Sequence, residues 1–280
     1  MKFGVNTLIW SISFDPALVP FDKLKQAGVD GIESPVFAPA EFDAAGFRRA
    51  LADHQLESTL CSICPADARP GCDDPAERER ALNHWRAVIA VAGEVGAKIL
   101  AGPSCSPVGY LPGRRRTADE WKRVVEFHQQ LGPALDDAAV DLAIEPINRF
   151  ETYFLNTACD AIRLVDEIAD PRVGILLDTF HSNIEDKSVA GAYRACGLRL
   201  KHVHTCENDR GIPGSGHIEW GEVRHALDEI GYDGWLTIES FNANAPELSA
   251  ATAIWRDLAP TTDDIAVRGT RFLRMLWQTV

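Results

Sequence analysis

VGILLDTFH, residues 173–181, is an apolar run of strand length that gives out on an acid, Asp178, with a histidine three residues on. Three further runs share this build: VDLAIEP at 140–146 reaches Glu145, LKHVHTCEND at 200–209 carries His204, and WLTIESF at 235–241 reaches Glu239. A continuous apolar run bounded by polar residues reads as a strand covered on both faces, the kind found in parallel sheets. Pro146 biases Glu145 toward extended backbone, so this acid closes a strand and does not open a helix.

Working outward from these four, strand-like runs at about 2–10, 31–36, 56–63 and 97–102 complete a set of eight. Amphipathic stretches lie between them, among them FDKLKQAG (21–28), ERERALNHWRAVIAVAGEVGA (77–97), ADEWKRVVEFHQQLGPALDDAA (118–139) and TACDAIRLVDEIA (157–169). In the second, Leu82, Trp85, Val88, Ile89 and Ala92 recur at helical spacing and mark the face that packs on a sheet. Gly28, Gly96, Gly197 and Gly231 stand near helix ends, where a left-handed residue turns the chain toward the next strand. Eight alternations of strand and helix predict an α/β fold, a single closed (β/α)8 TIM barrel over residues 1–280. An open doubly wound sheet is the second architecture, but it would use fewer strands, and no G-x-G-x-x-G follows the first.

The 280 residues are 46% hydrophobic, enough for one large core, and contain no low-complexity linker. With 28 basic against 41 acidic residues, the net charge of −13 repels nucleic acid and acidic membranes and suits a small neutral substrate. No apolar run approaches the ~20 residues of a membrane span, and MKFGVNTLIWSISFD lacks the pattern of a signal peptide, so the expected location is cytoplasmic. Seven scattered cysteines are expected to be free thiols. Cys61 and Cys64 form a C-x-x-C at a strand end with no second such pair, which favours neither zinc nor redox chemistry.

In a barrel the loops after the strands share one face, so Glu145, Asp178, His204 and Glu239 converge there. One histidine with three carboxylates is a hard, oxygen-rich set, suited to Mn²⁺, with Mg²⁺ or Co²⁺ as alternatives, more than to a structural zinc. Strands five and eight are three steps apart around the ring, so Glu145 and Glu239 come from nearly facing walls. Inverting a carbon beside a carbonyl means taking a proton from one face and returning one to the other, which two opposed carboxylates can do. An aldose-ketose isomerase needs one base only, and both glutamates acting purely as ligands stays open.

EPINRFETYFLN from 145, LDTFHSNIE from 177, HVHTCENDRGIPGSGHIEW from 202 and IESF from 238 resemble the metal-dependent ketose 3-epimerases of the D-tagatose and D-psicose type. These belong to the xylose-isomerase-like barrels; the FGVNTLIW start is weakly similar. The resemblance implies that Glu145, Asp178, His204 and Glu239 hold a divalent metal, with Glu145 and Glu239 doubling as the acid/base pair. It further implies substrate contacts from Glu151, His181 and Arg210, all in loops of the active face, and a homo-oligomer, dimer or tetramer. The expected activity is inversion at C3 of a free ketose such as D-tagatose, D-fructose or D-psicose. An aldose-ketose or hydroxypyruvate-type isomerase and an inosose-dehydratase-like lyase are the alternatives on the same metal site. A zinc-cluster endonuclease on a related barrel would want more histidines than the eight here and a basic surface.

Several other residues have two readings. Glu33 in GIESP either reaches the far rim of the pocket or makes a structural hydrogen bond. Trp10, Phe37, Tyr110, Trp220 and Phe241 either wall the pocket or pack in the core. Arg114, Arg115 and Arg116 read as a solvated loop or subunit contact more than as a phosphate site, and the tail WRDLAPTTDDIAVRGTRFLRMLWQ (255–278) either meets another subunit or closes the barrel.

Overall fold

The apolar runs do form strands, each shorter than the sequence suggests. In the computed structural model, residues 1–243 and 246–278 are described. The strands are β1 (Lys2–Asn6), β2 (Gly31–Pro35), β3 (Glu57–Cys61), β4 (Ile99–Gly102), β5 (Asp141–Ile144), β6 (Val173–Asp178), β7 (Leu200–Thr205) and β8 (Trp235–Ile238). All pair in parallel, in chain order, and β8 returns to β1 to close a barrel.

Two of the strands stop early because a terminal polar side chain starts the next turn. Asn6 ends β1: its Oδ1 accepts the Leu8 N–H at 2.9 Å and opens a 3₁₀ turn over Thr7–Ile9. Asp178 ends β6 in the same way, accepting the Phe180 N–H at 2.7 Å at the start of a short helix, Thr179–Glu185. At both ends the polar residue and the turn are one local structure, an N-cap on a strand end.

Eleven α-helices occur among the described residues, more than the eight of a strict alternation. The stretch 118–139 divides into α4 (Ala118–Gln129) and α5 (Gly132–Ala138), following α1 (Phe21–Ala27), α2 (Ala44–His54) and α3 (Pro75–Val95). Pro133, at the start of α5, cannot donate to an earlier turn, so one helix does not run through it. After α6 (Ala158–Ile168) come α7 (Thr179–Glu185), α8 (Val189–Cys196), α9 (Trp220–Glu229), α10 (Pro246–Thr252) and α11 (Thr262–Gln278). Gly28, Gly96, Gly197 and Gly231 take positive φ, but Gln55, Ala139 and Ala169 do so too and end α2, α5 and α6 in glycine's place.

Alternate strand residues face the helices. Val5, Ile32, Leu60, Leu100, Leu142, Leu177, Val203 and Leu236 join one apolar layer with Trp85, Val88 and Ile89 of α3, as the spacing in that helix requires. Burying each such side chain contributes roughly 1.5–3 kcal/mol. The tail forms α11, which buries Ile265, Ala266 and Leu273 against α1 and β1, so it closes the barrel. The residues facing the barrel axis are different in kind: Asn6, Glu33, Thr59, His202, His204 and Thr237 are all buried there.

Candidate active site

The sheet register brings the three acids and the histidine together. Asp178 lies opposite His204 across β6 and β7, while Glu145 and Glu239 follow the last residues of β5 and β8. One oxygen or nitrogen from each of Glu145, Asp178, His204 and Glu239 lies within 4.8 Å of all the others, and all four residues are buried. His204 Nδ1 is 3.5 Å from Glu239 Oε1 and 3.9 Å from Glu145 Oε1. Neither that nitrogen nor Glu145 Oε1 has a hydrogen-bond partner. A buried polar atom left unmet loses about 1–3 kcal/mol, so a donor set of three carboxylates and one imidazole with unmet atoms facing inward fits a divalent cation.

The two glutamates titrate apart. Burial, then the neighbouring Glu239 charge, pushes Glu145 well above the usual carboxylate range. Glu239 feels the same burial, but His204 and Arg210 outweigh it and hold this acid low. His204 is lifted well above the ordinary histidine range because Glu239 and Glu33 overcome its burial. Paired acids driven in opposite directions can exchange roles as proton donor and acceptor.

Arg210, His181 and Glu151 stand on the same side of the site. Arg210 takes a left-handed backbone, φ 68°, and is buried. Its Nη1 donates to Asp178 Oδ2 and, at 3.0 Å, to Glu239 Oε2; its Nη2 lies 2.9 Å from His181 Nε2. The guanidinium is held between the rings of Phe180 and Phe241, 4.3 and 5.1 Å from their centres. Its loop is tied by the buried Glu207 carboxylate, which accepts from the Gly214 and Ile218 N–H groups and from Trp220 Nε1. Asn148 links the other two, donating from its side chain to Glu151 Oε1 at 2.7 Å and from its backbone to His181 Nδ1 at 3.1 Å. Burial, then the Arg210 charge, keeps His181 far below the ordinary histidine range, a neutral ring.

A cavity of about 700 Å³ opens over the cluster, lined by Glu145, His204, Glu239, Glu151, His181 and Arg210 and by an apolar wall including Phe37, Ile63, Val108, Leu111 and Phe241. The aromatic candidates therefore separate. Phe37 and Phe241 wall the cavity, whereas Trp10 donates to Asp263, Tyr110 packs on Tyr153 and under Arg69, and Trp220 serves the Glu207 tie. A smaller polar cavity of about 380 Å³ beneath the loops after β3 and β4 contains Arg69, Arg114 and Arg123, each paired with an acid, and none of the cluster. Arg116 bridges to Asp160. Cys61 and Cys64 are buried free thiols, as are three others; Cys72 is half-buried and Cys159 exposed.

Glu33 lies beneath the cluster instead of at the rim, with its carboxylate against His204 and His202. Sequence reading passed over His202, Asn6 and Thr59, which meet it there. HVH at 202–204 held the signal: two histidines two apart on a strand point to one face.

A family model for the xylose isomerase-like TIM barrel matches residues 21–264. A Synechocystis sp. protein named "Probable ketose 3-epimerase" is 34% identical over 280 residues, 100% of this chain and 98% of that one. The ketose 3-epimerase of Arthrobacter globiformis is 31% identical over 98% of this chain and 96% of its own length. The crystal structure of a D-allulose 3-epimerase from Methylomonas sp., in complex with D-allulose, superposes with a TM-score of 0.93 at 28% identity, covering 98% of this chain and 96% of that one. From strand order, ligand cluster and these matches together, the chain belongs to the xylose isomerase-like TIM barrel family.

Proposed function

We propose that the protein is a ketose 3-epimerase that inverts C3 of a free ketose, a ketohexose such as D-tagatose, D-fructose or D-psicose, working as one barrel domain. The observation that carries this reading is the position of Glu145 and Glu239 on walls three strands apart, with His204 Nδ1 3.9 and 3.5 Å from them. A sugar lying across the cluster meets one carboxylate on each face. One glutamate takes the C3 proton, and the other returns a proton to the opposite face of the enediolate.

Glu145, Asp178, His204 and Glu239 would hold a divalent cation, Mn²⁺ by the hardness of the set, which when bound polarises the ketose carbonyl. Arg210, His181 and Glu151 are assigned to the carbonyl and hydroxyls at C1 to C3. Arg210 offers donors to oxygen, His181 lies 2.9 Å from its Nη2 and holds the guanidinium in place, and Glu151, a carboxylate oriented by Asn148, accepts from a hydroxyl. The apolar wall of Phe37, Ile63, Val108 and Leu111 suits the carbon edge of a free sugar's distal end better than a phosphate.

No helix among the described residues is long and apolar enough to cross a membrane, in keeping with a cytoplasmic enzyme. Exposed Phe150, Leu198, Trp255 and Met275 offer apolar surface for a dimer or tetramer.

The test is incubation of the Mn²⁺-loaded protein with a panel of ketoses in D₂O. Deuterium at C3 together with a new C3 epimer is the expected result. Label at C1 or C2 with aldose formation would replace this reading with an aldose-ketose isomerase.

A further inference from the structure

Glu33 is fully buried, and its carboxylate collects contacts from three other strands. Asn6 on β1 and Thr59 on β3 stand opposite it in register. Asn6 Nδ2 donates to Oε1 at 2.9 Å, and Thr59 Oγ1 donates to Oε2 at 2.9 Å. Asn6 cannot turn over without loss, because its Oδ1 already accepts the Leu8 N–H. The carboxylate then reaches across the barrel axis to β7, where His204 Nε2 lies 2.7 Å from Oε1 and His202 Nε2 lies 2.8 Å from Oε2. An ionised carboxylate only accepts hydrogen bonds, so the His204 nitrogen facing it carries the proton. A bound cation would displace the second proton that the carboxylates hold on the ring, leaving the Nδ1 lone pair facing Glu145 and Glu239, where no hydrogen-bond partner meets it.

We propose that Glu33 is a positioning residue of the metal cluster, fixing the His204 ring in its Nε2–H tautomer with Nδ1 aimed among the ligand carboxylates, and held to that task by Asn6 and Thr59. The inference rests on the reading that Glu145, Asp178, His204 and Glu239 bind a divalent cation. It adds to that reading a residue outside the ligand set, from a strand two steps around the ring from β8 and three or four steps from the other ligand strands.

The experiment measures Mn²⁺ affinity and the visible absorption of the Co²⁺-loaded protein for wild type, Glu33→Gln and Asp178→Asn. Glutamine keeps the shape of Glu33 but offers an amide that no longer dictates the tautomer. Wild type should bind one Mn²⁺ per chain, and Glu33→Gln should bind it about 10- to 100-fold more weakly, the usual effect of losing the carboxylate behind a metal-binding histidine, with a shifted Co²⁺ spectrum. Wild-type affinity and spectrum in Glu33→Gln, alongside weakened binding in Asp178→Asn, would overturn the role of Glu33 while leaving the cluster intact. Unchanged binding in Asp178→Asn would instead overturn the cluster reading itself. Two Mn²⁺ per chain, with one lost in Glu33→Gln, would make Glu33, His202 and His204 ligands in their own right and also refute the positioning role. If Glu33→Gln does not fold, Thr59→Val removes one hydrogen bond from the carboxylate and should weaken Mn²⁺ by about threefold, the effect of one modest hydrogen bond; no change would refute the proposal.

Discussion

His128 makes the folded protein sensitive to acid through a group outside the candidate ligand set. The ring is fully buried on α4; Nδ1 lies 2.7 Å from the Val124 carbonyl and Nε2 lies 2.7 Å from Ser104 Oγ. A carbonyl can only accept, so Nδ1 carries the hydrogen, and Nε2 accepts from the serine hydroxyl. A second proton would have no acceptor. Burial, the largest cause, takes His128 down to about 4 from an ordinary 6.5. The unfolded chain therefore binds this proton more tightly than the folded one. The stability that the neutral ring contributes is complete above pH ~6.5 and drains away as pH falls toward 4. Between pH 7.5 and pH 5.0 the loss from this one group is about 2 kcal/mol. For a chain of this length that lowers the melting temperature by roughly 3 °C.

The assay is thermal or urea unfolding at the two pH values, for wild type and His128→Gln. Other buried histidines titrate in both proteins, so the informative quantity is the difference between the two pH dependences. Wild type should lose about 2 kcal/mol more than His128→Gln on going to pH 5.0, even though the variant starts out less stable. Equal losses would place the proton elsewhere and refute the assignment. Ser104 lies in the loop after β4, and that loop's Val108 and Leu111 line the active cavity. Acid should therefore loosen the sugar pocket as well as the barrel.

Glu145→Gln and Glu239→Gln should each lower kcat by about 10²- to 10⁴-fold, the worth of a general acid or base, with an unchanged circular dichroism spectrum; wild-type rates in either would remove that residue from the chemistry. Treatment with EDTA should abolish epimerisation and Mn²⁺ should restore it, and activity indifferent to both would end the metal reading. Arg210→Lys keeps the charge but loses the planar fork between Phe180 and Phe241, so kcat/KM should fall about 10- to 100-fold in steady-state assays. Asp186, half-buried at the end of α7, is pushed up to about 6 by burial against an ordinary 3.8. Its folded form holds the proton more tightly, so its contribution to stability is complete below pH ~4 and is lost as pH rises through 6. Asp186→Asn should remove that loss and, after solvent screening, gain about 1 kcal/mol at pH 7.5 in the same unfolding assay.

The strands and the convergence of the four candidate ligands were legible because both are written in short local patterns. An apolar run covered on both faces can hardly be anything but a parallel strand, and an acid at its end has nowhere to go but the mouth. Glu145, Asp178, His204 and Glu239 followed from that without any knowledge of distance. What stayed hidden depends on contacts across the barrel. GIESP gives no hint that Glu33 will meet two histidines from a strand on the other side of the axis. Strand lengths were overestimated for a related reason: hydropathy continues through residues such as Leu8 and Ile9, and only the Asn6 cap shows that the sheet has already ended. The break at Pro133 was visible in the letters, but the amphipathic spacing on either side of it masked the end of α4.

Barrels of this kind usually fill their interior with layers of branched apolar side chains. Here Asn6, Glu33, Thr59, His202 and Thr237 occupy much of that space, while Ala101, Ala143 and Leu176 form only a small apolar patch. A buried carboxylate is destabilising unless its partners are well placed, and replacing such a group with apolar packing is often neutral or better for stability. The polar interior is therefore poorly explained as a stabilising core. The layer between sheet and helices, built around Trp85, Phe47, Leu100 and Leu164, can hold the fold without it. Stability and chemistry thus occupy opposite faces of the same strands: on β7, Val203 packs outward among the helices, while His202 and His204 on either side of it point inward to Glu33. Inside the barrel, Asn6 and Thr59 hold Glu33 against His204, and that imidazole stands 3.9 and 3.5 Å from the Glu145 and Glu239 carboxylates.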